Sequence, residues 1–250
     1  MPMYTIVSIL LLVGPVWAAP RSTGAEAAAP GSLARPAVVV DDFEAYPPGT
    51  WPDRWKFFTS TNEIRPLGPF MNDNEKFYVV EEEGNRFLRA YTAGQAQRIS
   101  LANDPAFDLD WDLTRHPRLA WKWRALQLPR GAREDAVNDT GAAIYVTFSR
   151  DWLGRPRSIK YTYSTALPVG TVVSFGRLKV IVAASGLDGF GDWIEVERNV
   201  VEDYVRLFGK PPPERPLSIT LWSDSDDTKD VAEVDFDDIV LLDAPLDAPR

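Results

Sequence analysis

The sequence predicts an all-β fold: a two-sheet antiparallel β-sandwich, jelly-roll-like, with one short helix near residues 200–208. Three observations carry that prediction. Apolar and polar residues alternate over many short runs, which is the period of a half-buried strand. Clusters of Gly, Pro, Asn and Asp separate the runs, as turns require. No strand–helix–strand rhythm occurs, so two packed antiparallel sheets are the architecture that buries the runs. With 250 residues, 45% of them hydrophobic, the chain can fill one sizeable core, and β-sandwiches often run this long as single domains. The sequence shows no internal repeat.

Residues 1–19 read as a secretory signal peptide. The run 4–17 is almost continuously apolar, and Val16 and Ala18 are the small residues wanted before a cut near Ala18 or Ala19. The run is short for a membrane span and Pro15 interrupts it. The n-region lacks Lys and Arg, which keeps an uncleaved membrane tether as the alternative. Residues 20–37 form a flexible linker: 21–36 is Ala, Gly, Ser and Pro with few large apolar groups, too little to offset the entropy of ordering. The sandwich is expected over 38–244, and the leader sends it to the periplasm or outside the cell.

A strand at 38–43 opens the domain and Pro47, Pro48 and Gly49 close it. Trp51 and Trp55 follow in a loop and are expected to plug one end of the core. Strands 77–81 and 87–91 flank a Glu83-Gly84-Asn85 turn, and a short strand at 97–101 follows. The polar stretch 108–116 then crosses between sheets. In 119–128, Trp121, Trp123 and Ala125 share one face, with Lys122, Arg124 and Leu126 on the other. In 142–148, Ile144, Val146 and Phe148 oppose Ala143, Tyr145 and Thr147. In 158–164, Ile159, Tyr161 and Tyr163 oppose Lys160 and Thr162. Further strands are 172–175, 178–183 and 193–198, the last with Ile194 and Val196 turned away from Trp193, Glu195 and Glu197. Over 200–208 the pattern changes: Val201, Tyr204, Val205 and Phe208 recur at helical spacing, and Gly209 with prolines 211–213 ends the helix. Strands 217–222 and 231–242 close the domain around an acidic turn at 224–228.

Composition removes several function classes. The formal charge is -9, from 27 Lys and Arg against 36 Asp and Glu, which disfavours general nucleic-acid binding and weakly repels anionic lipid. The chain has no cysteine, excluding disulfides, thiol catalysis, Cys-ligated zinc, iron–sulfur clusters and a cysteine lipid anchor. A single histidine, His116, rules out a His-rich metal site, and no GxSxG, P-loop or dinucleotide fingerprint is present. Nine tryptophans exceed what a core needs and suggest stacking platforms for ring-shaped ligands.

Four constellations carry chemistry. Asp41, Asp42 and Glu44 near the first strand, with Asp237 and Asp238 in the last, would converge if those strands pair. Calcium takes six to eight oxygens, so these residues are a candidate structural calcium site. The alternative is acidic protection of a sheet edge. Lys122, Arg124, Tyr145 and Lys160, on sheet faces, and Asn138 and Asp139, in a loop between strands, form a candidate ligand face. Charges in the middle of a sheet face meet solvent or ligand, and an Arg fork with Tyr, Asn and Asp suits sugar hydroxyls and carboxylates. The turn Asp224-Ser225-Asp226-Asp227-Thr228 resembles half an EF-hand loop but lacks its glycine and distal glutamate, leaving an Asx-type turn. Glu195 and Glu197, two apart on a strand, sit about 7 Å apart, which loosely fits an inverting glycosidase.

The opening DDFE at 41–44 and the closing VDFDDIVLL at 234–242 resemble carbohydrate-binding modules with a galactose-binding-like jelly roll, a resemblance that implies a structural calcium near these ends. More specifically, WKWRALQLPRGAREDAVNDTGAAIYVTF at 121–148, ERNVVEDYVRLFG at 197–209 and DSDDT at 224–228 are similar to the bacterial family known as domain of unknown function 3047. That resemblance spans nearly the whole mature domain. It implies an exported β-sandwich and brings no activity with it. The leading expectation is an exported, non-catalytic domain that binds a carbohydrate or cell-envelope glycan, without nucleic acid and without stable membrane insertion once the signal is cleaved. Two alternatives stand beside it. One is a glycan-active hydrolase or lyase using Glu195 and Glu197. The other is a structural or protein-binding envelope component, for which an exposed aromatic such as Trp152 would serve.

Overall fold

The structure is a computed structural model that describes residues 37–59 and 63–244. The signal peptide expected over 1–19 and the linker over 20–37, Ala37 excepted, lie outside the described residues. In chain order the strands are β1 (Ala37–Asp41), β2 (Phe57–Phe58), β3 (Ile64–Arg65), β4 (Glu75–Glu82), β5 (Asn85–Ala93), β6 (Ala96–Ala102), β7 (Arg118–Gln127), β8 (Thr140–Arg150) and β9 (Pro156–Ser164). Then follow β10 (Val172–Phe175), β11 (Leu178–Ser185), β12 (Ile194–Asn199), the helix α1 (Val200–Phe208), β13 (Ser218–Asp224) and β14 (Val231–Leu242).

Two six-stranded sheets result. Sheet I has the order β12-β7-β14-β5-β4, with β1 also paired to β14; sheet II has the order β10-β11-β9-β8-β13-β6. β14 is the spine of sheet I. Along one side it pairs with β7; along the other it pairs with β5 through Phe236 and then with β1 from Ile239. The segment 108–116 carries the chain from β6 in sheet II to β7 in sheet I, the crossing its polarity predicts. One pairing departs from the antiparallel rule: β9 and β11 run parallel, with β10 antiparallel on the outer side of β11. The chain leaves β9, passes the neighbouring position to form the edge strand, and turns back into the gap.

The core follows from the alternation. Trp121 and Trp123 project from β7 onto Tyr161 and Tyr163 of β9, with ring centroids 5.6 and 5.4 Å apart, so the inner faces of the two sheets interlock through aromatic pairs. Ile144, Val146 and Phe148 of β8 and Val234 and Phe236 of β14 complete it. Trp55 is fully buried and donates its indole N–H to Asp41 at 2.7 Å, plugging one end as expected. Trp51 does not: it remains 44% exposed, lying against Gly68.

α1 begins at Asn199, whose side chain accepts the Glu202 N–H, and stops at Gly209 in the left-handed conformation (φ 69°). Its buried side is Val200, Asp203 and Tyr204, with Tyr204 against Phe148 at 4.5 Å; Val205, expected to pack, is exposed. Asp203 takes hydrogen bonds from Arg198, Arg206 and the Tyr161 hydroxyl, which ties the helix to both sheets. Among the described residues no helix is long and apolar enough to cross a membrane.

Candidate functional site

The strands do not assemble one ligand face from the six residues read as such. Lys122 and Arg124 lie on the outer face of sheet I, because Trp121, Trp123 and Ala125 take the inner one. Tyr145 and Lys160 lie on the outer face of sheet II, back to back with them across the core. Asn138 is exposed in the loop before β8, while Asp139 is buried and accepts the backbone N–H groups of Asp227 and Thr228 at 3.1 and 2.7 Å.

On sheet I the basic groups are consumed locally. Asp235, fully buried, is gripped by Arg89 (Nε 2.6 Å) and Arg124 (Nη2 2.7 Å). Arg124 also lies 5.2 Å over Phe87 and 4.9 Å over Trp193, and Lys122 pairs with Asp238 at 2.7 Å. Glu195 and Glu197 are exposed on the edge strand β12 of this sheet, and Glu197 is held by Arg118.

Sheet II carries the more developed site. A groove of about 460 Å³ runs over its outer face, lined by residues of β6, β8, β9 and β13 and by the 151–155 turn. Its floor follows from strand register. Ser100, Thr220 and Tyr145 stand side by side, as do Ser218, Thr147 and Ser158. The hydroxyls bond one another: Ser100 to Thr220 at 2.8 Å and Thr147 to Ser158 at 3.0 Å. One wall is aromatic. Tyr145 and Trp222 sit 5.6 Å apart with planes tilted 43°, and the Arg98 guanidinium lies 5.0 Å over Trp222 while donating to the Phe58 carbonyl at 3.0 Å. The other wall is the turn between β8 and β9. The Asp151 carboxylate accepts the N–H groups of Leu153 and Arg155 at 3.0 and 2.9 Å, a fixed turn from which Leu153 and Arg155 line the groove. At its tip Trp152 is 88% exposed.

Beyond the Tyr145 ring lies a buried polar cluster. Lys160 is sealed at 1% exposure, so it is not presented to a ligand; among the described residues its ammonium has no hydrogen-bond partner, and it lies 5.7 Å from the Tyr145 ring. Burial pulls its pKa down, while Glu134, Asp224 and Asp139 pull it up by a smaller amount. Glu134, also buried, accepts from Thr162 at 2.9 Å and Ser164 at 2.6 Å. Asp139, Asp224 and Asp226 bring carboxylate oxygens within 4.8 Å of one another, the one such acidic group among the described residues, and it could hold a metal ion. Burial first, then the charges of Asp226 and Asp139, push Asp224 up to about 7.

The five carboxylates read as a calcium site form no metal-holding group among the described residues. β1 and β14 pair as anticipated, but each carboxylate finds a protein partner instead. Asp41 accepts from Trp55, Tyr46 and Phe43; Asp42 from the Glu44 N–H; Glu44 from the Arg86 N–H. Asp237 accepts from Asn85 and Asp238 binds Lys122.

Residues 68–240 match the model of a family described as protein of unknown function, DUF3047. The chain belongs to that family. No curated protein matches the sequence of this DUF3047 member. Among solved structures it is similar to the family 11 carbohydrate-binding module of the cellulosomal cellulase Lic26A-Cel5E of Clostridium thermocellum, at 10% identity and TM-score 0.40, covering 84% of this chain and 96% of that one. It is similar to the family 30 module of the cellulosomal cellulase Cel9D-Cel44B of the same organism, at 12% identity and TM-score 0.39, covering 71% and 86%. It is also similar to the K1 cleaved adhesin domain of Lys-gingipain from Porphyromonas gingivalis W83, at 10% identity and TM-score 0.36, covering 84% and 99%.

Proposed function

We propose that this DUF3047 protein is an exported, periplasmic or secreted, non-catalytic domain that binds a polysaccharide or cell-envelope glycan in the groove on sheet II. The observation that carries the reading is the pairing of two tilted aromatic rings, Tyr145 and Trp222, with a floor of hydroxyl groups. Sugar rings offer flat C–H faces to aromatic side chains and hydroxyl rims to polar ones, so a groove with both is matched to them. The hydrolase alternative needs two carboxylates facing each other across a bond. Glu195 and Glu197 belong to the opposite sheet, and Glu197 is occupied by Arg118.

A structural calcium ion, on this reading, belongs to Asp139, Asp224 and Asp226 and not to the first and last strands. The support is an oxygen-only donor set, which suits a hard cation, and the crowding of the three carboxylates, whose charges add to the larger effect of burial in raising Asp224. Bound calcium would neutralise that crowding and hold the 224–228 turn against the loop before β8. The test is a pull-down of the mature domain on a panel of polysaccharides, with and without EDTA. Retention on at least one class, weakened about tenfold or more by Trp222→Leu, supports the reading. Failure to bind every class refutes it, and a melting temperature indifferent to EDTA and added calcium removes the ion.

A further inference from the structure

We propose that the groove on sheet II selects an anionic glycan, whose oxyanion sits between Arg98 and Arg150 while a sugar ring rests on Tyr145 and Trp222. This rests on the carbohydrate reading and adds the charge of the ligand.

The first argument is the imbalance of the lining. The protein carries 36 acidic and 27 basic side chains, yet among the described residues the groove is lined by Arg98, Arg150 and Arg155 and by no Asp or Glu. Arg155 is answered by Asp151 at 2.8 Å. Arg98 and Arg150 are not. Each donates to a backbone carbonyl, Arg98 to Phe58 and Arg150 to Gly154, both at 3.0 Å, and no carboxylate forms a salt bridge with either among the described residues.

The second argument is the contrast with the opposite face. There the arginines are matched: the half-buried Arg89 and Arg124 share Asp235, and the buried Arg118 takes Glu197. A guanidinium withdrawn from water without a counter-charge is costly, and Arg98 shows that cost. Burial lowers its pKa from the ordinary arginine value; Tyr145 opposes that effect, and the charge of Arg150 adds to it by a smaller amount. Two guanidinium groups without a salt-bridge partner among the described residues, both lining one groove floored with hydroxyls, are complementary to an oxyanion bound between them. The planar donor fork of arginine suits a carboxylate or a sulfate equally. Neutral glucans and xylans would leave both charges unanswered.

The experiment is isothermal titration or affinity electrophoresis of the mature protein against polygalacturonate and dextran sulfate, with carboxyl-reduced polygalacturonate and plain dextran as neutral partners. The expected result is binding of one or both anionic polymers about tenfold or more tighter than the neutral ones, weakening steeply as salt rises from about 0.05 to 0.5 M. Which anionic arm wins separates carboxylate from sulfate. The double variant R98Q/R150Q should lose that preference while keeping its melting temperature, and Arg98→Lys should retain part of it. Neutral polymers bound as tightly as anionic ones, or an R98Q/R150Q protein that keeps the preference, would overturn the anionic assignment and leave the glycan reading standing. Binding to no polymer would overturn both.

Discussion

Asp235 offers the sharpest test of how the structure is held. It lies mid-strand on the outer face of sheet I, where a polar side chain should be wet, yet it is fully buried beneath Arg89 and Arg124. Its two oxygens receive four guanidinium bonds between 2.6 and 3.0 Å. Asp235→Ala removes one partner from a desolvated ion cluster and leaves two arginine side chains, 14% and 15% exposed, without their main counter-charge. Breaking a buried pair this way costs about 3–5 kcal/mol. Glu82 and Glu233 reach the same arginines from more exposed positions and offset part of that, so the low end is expected. At about 2–4 °C per kcal/mol for a domain near two hundred residues, the melting temperature should fall by about 6–12 °C. The control is Asp238→Asn, which breaks the Lys122 pair, whose partners are 42% and 45% exposed, while keeping a residue that tolerates the left-handed backbone there (φ 47°); it should cost under about 1 kcal/mol. Thermal unfolding followed by circular dichroism reads both. Equal shifts for the two variants would refute the claim that burial, and not mere pairing, sets the value of these bridges.

Three more outcomes follow from named side chains. Burial pushes Asp237 up to about 6, so the native state holds its proton between pH 4 and 6 while the unfolded chain has released it. This group therefore supports stability at low pH and loses that contribution as pH rises through 6, and Asp237→Asn should flatten the pH 4–7 segment of the melting curve by an amount on the order of 1 kcal/mol. Trp55→Phe keeps most of the buried ring but strips Asp41 of its 2.7 Å donor; chemical denaturation should show a loss of about 2–3 kcal/mol, and a loss below about 0.5 would contradict the bond. Trp152→Ser, at the tip of the Asp151 turn, should leave the melting temperature unchanged while lowering affinity for any large partner that spans the groove rim, measured by titration before and after the substitution.

The local pattern was legible. The bounds of 172–175, 200–208 and 231–242 coincide with β10, α1 and β14, and the alternation in β7, β8 and β9 sorts their side chains correctly. What alternation cannot say is which sheet a strand joins. β7 and β8 are consecutive and similarly patterned, yet they belong to different sheets, so Arg124 and Tyr145 face opposite ways out of the molecule. The burial of Lys160 was hidden for a related reason: the residues around it, Glu134, Asp139 and Asp224, come from loops and a strand end that periodicity does not place. Arg98 and Trp222, which build the aromatic wall, are direct partners in the β6–β13 ladder but over a hundred positions apart. The alternation of Arg98 and Ser100 with Ile99 and Leu101 is a signal that could turn Arg98 outward; nothing short of the ladder could place Trp222 beside it.

The position of β14 bears on the biosynthesis of the domain. The strand that joins β7 to β5 and β1 is the last in chain order among the described residues, so sheet I has no centre until residue 242 has left the ribosome. Pairings of such long sequence separation form slowly, because the intervening chain must be gathered first. A polypeptide that acquires this keystone late keeps sheet I open for most of its synthesis. The same order leaves the open flanks of β5 and β7 exposed in any chain interrupted before residue 231, and those flanks are templates for aggregation.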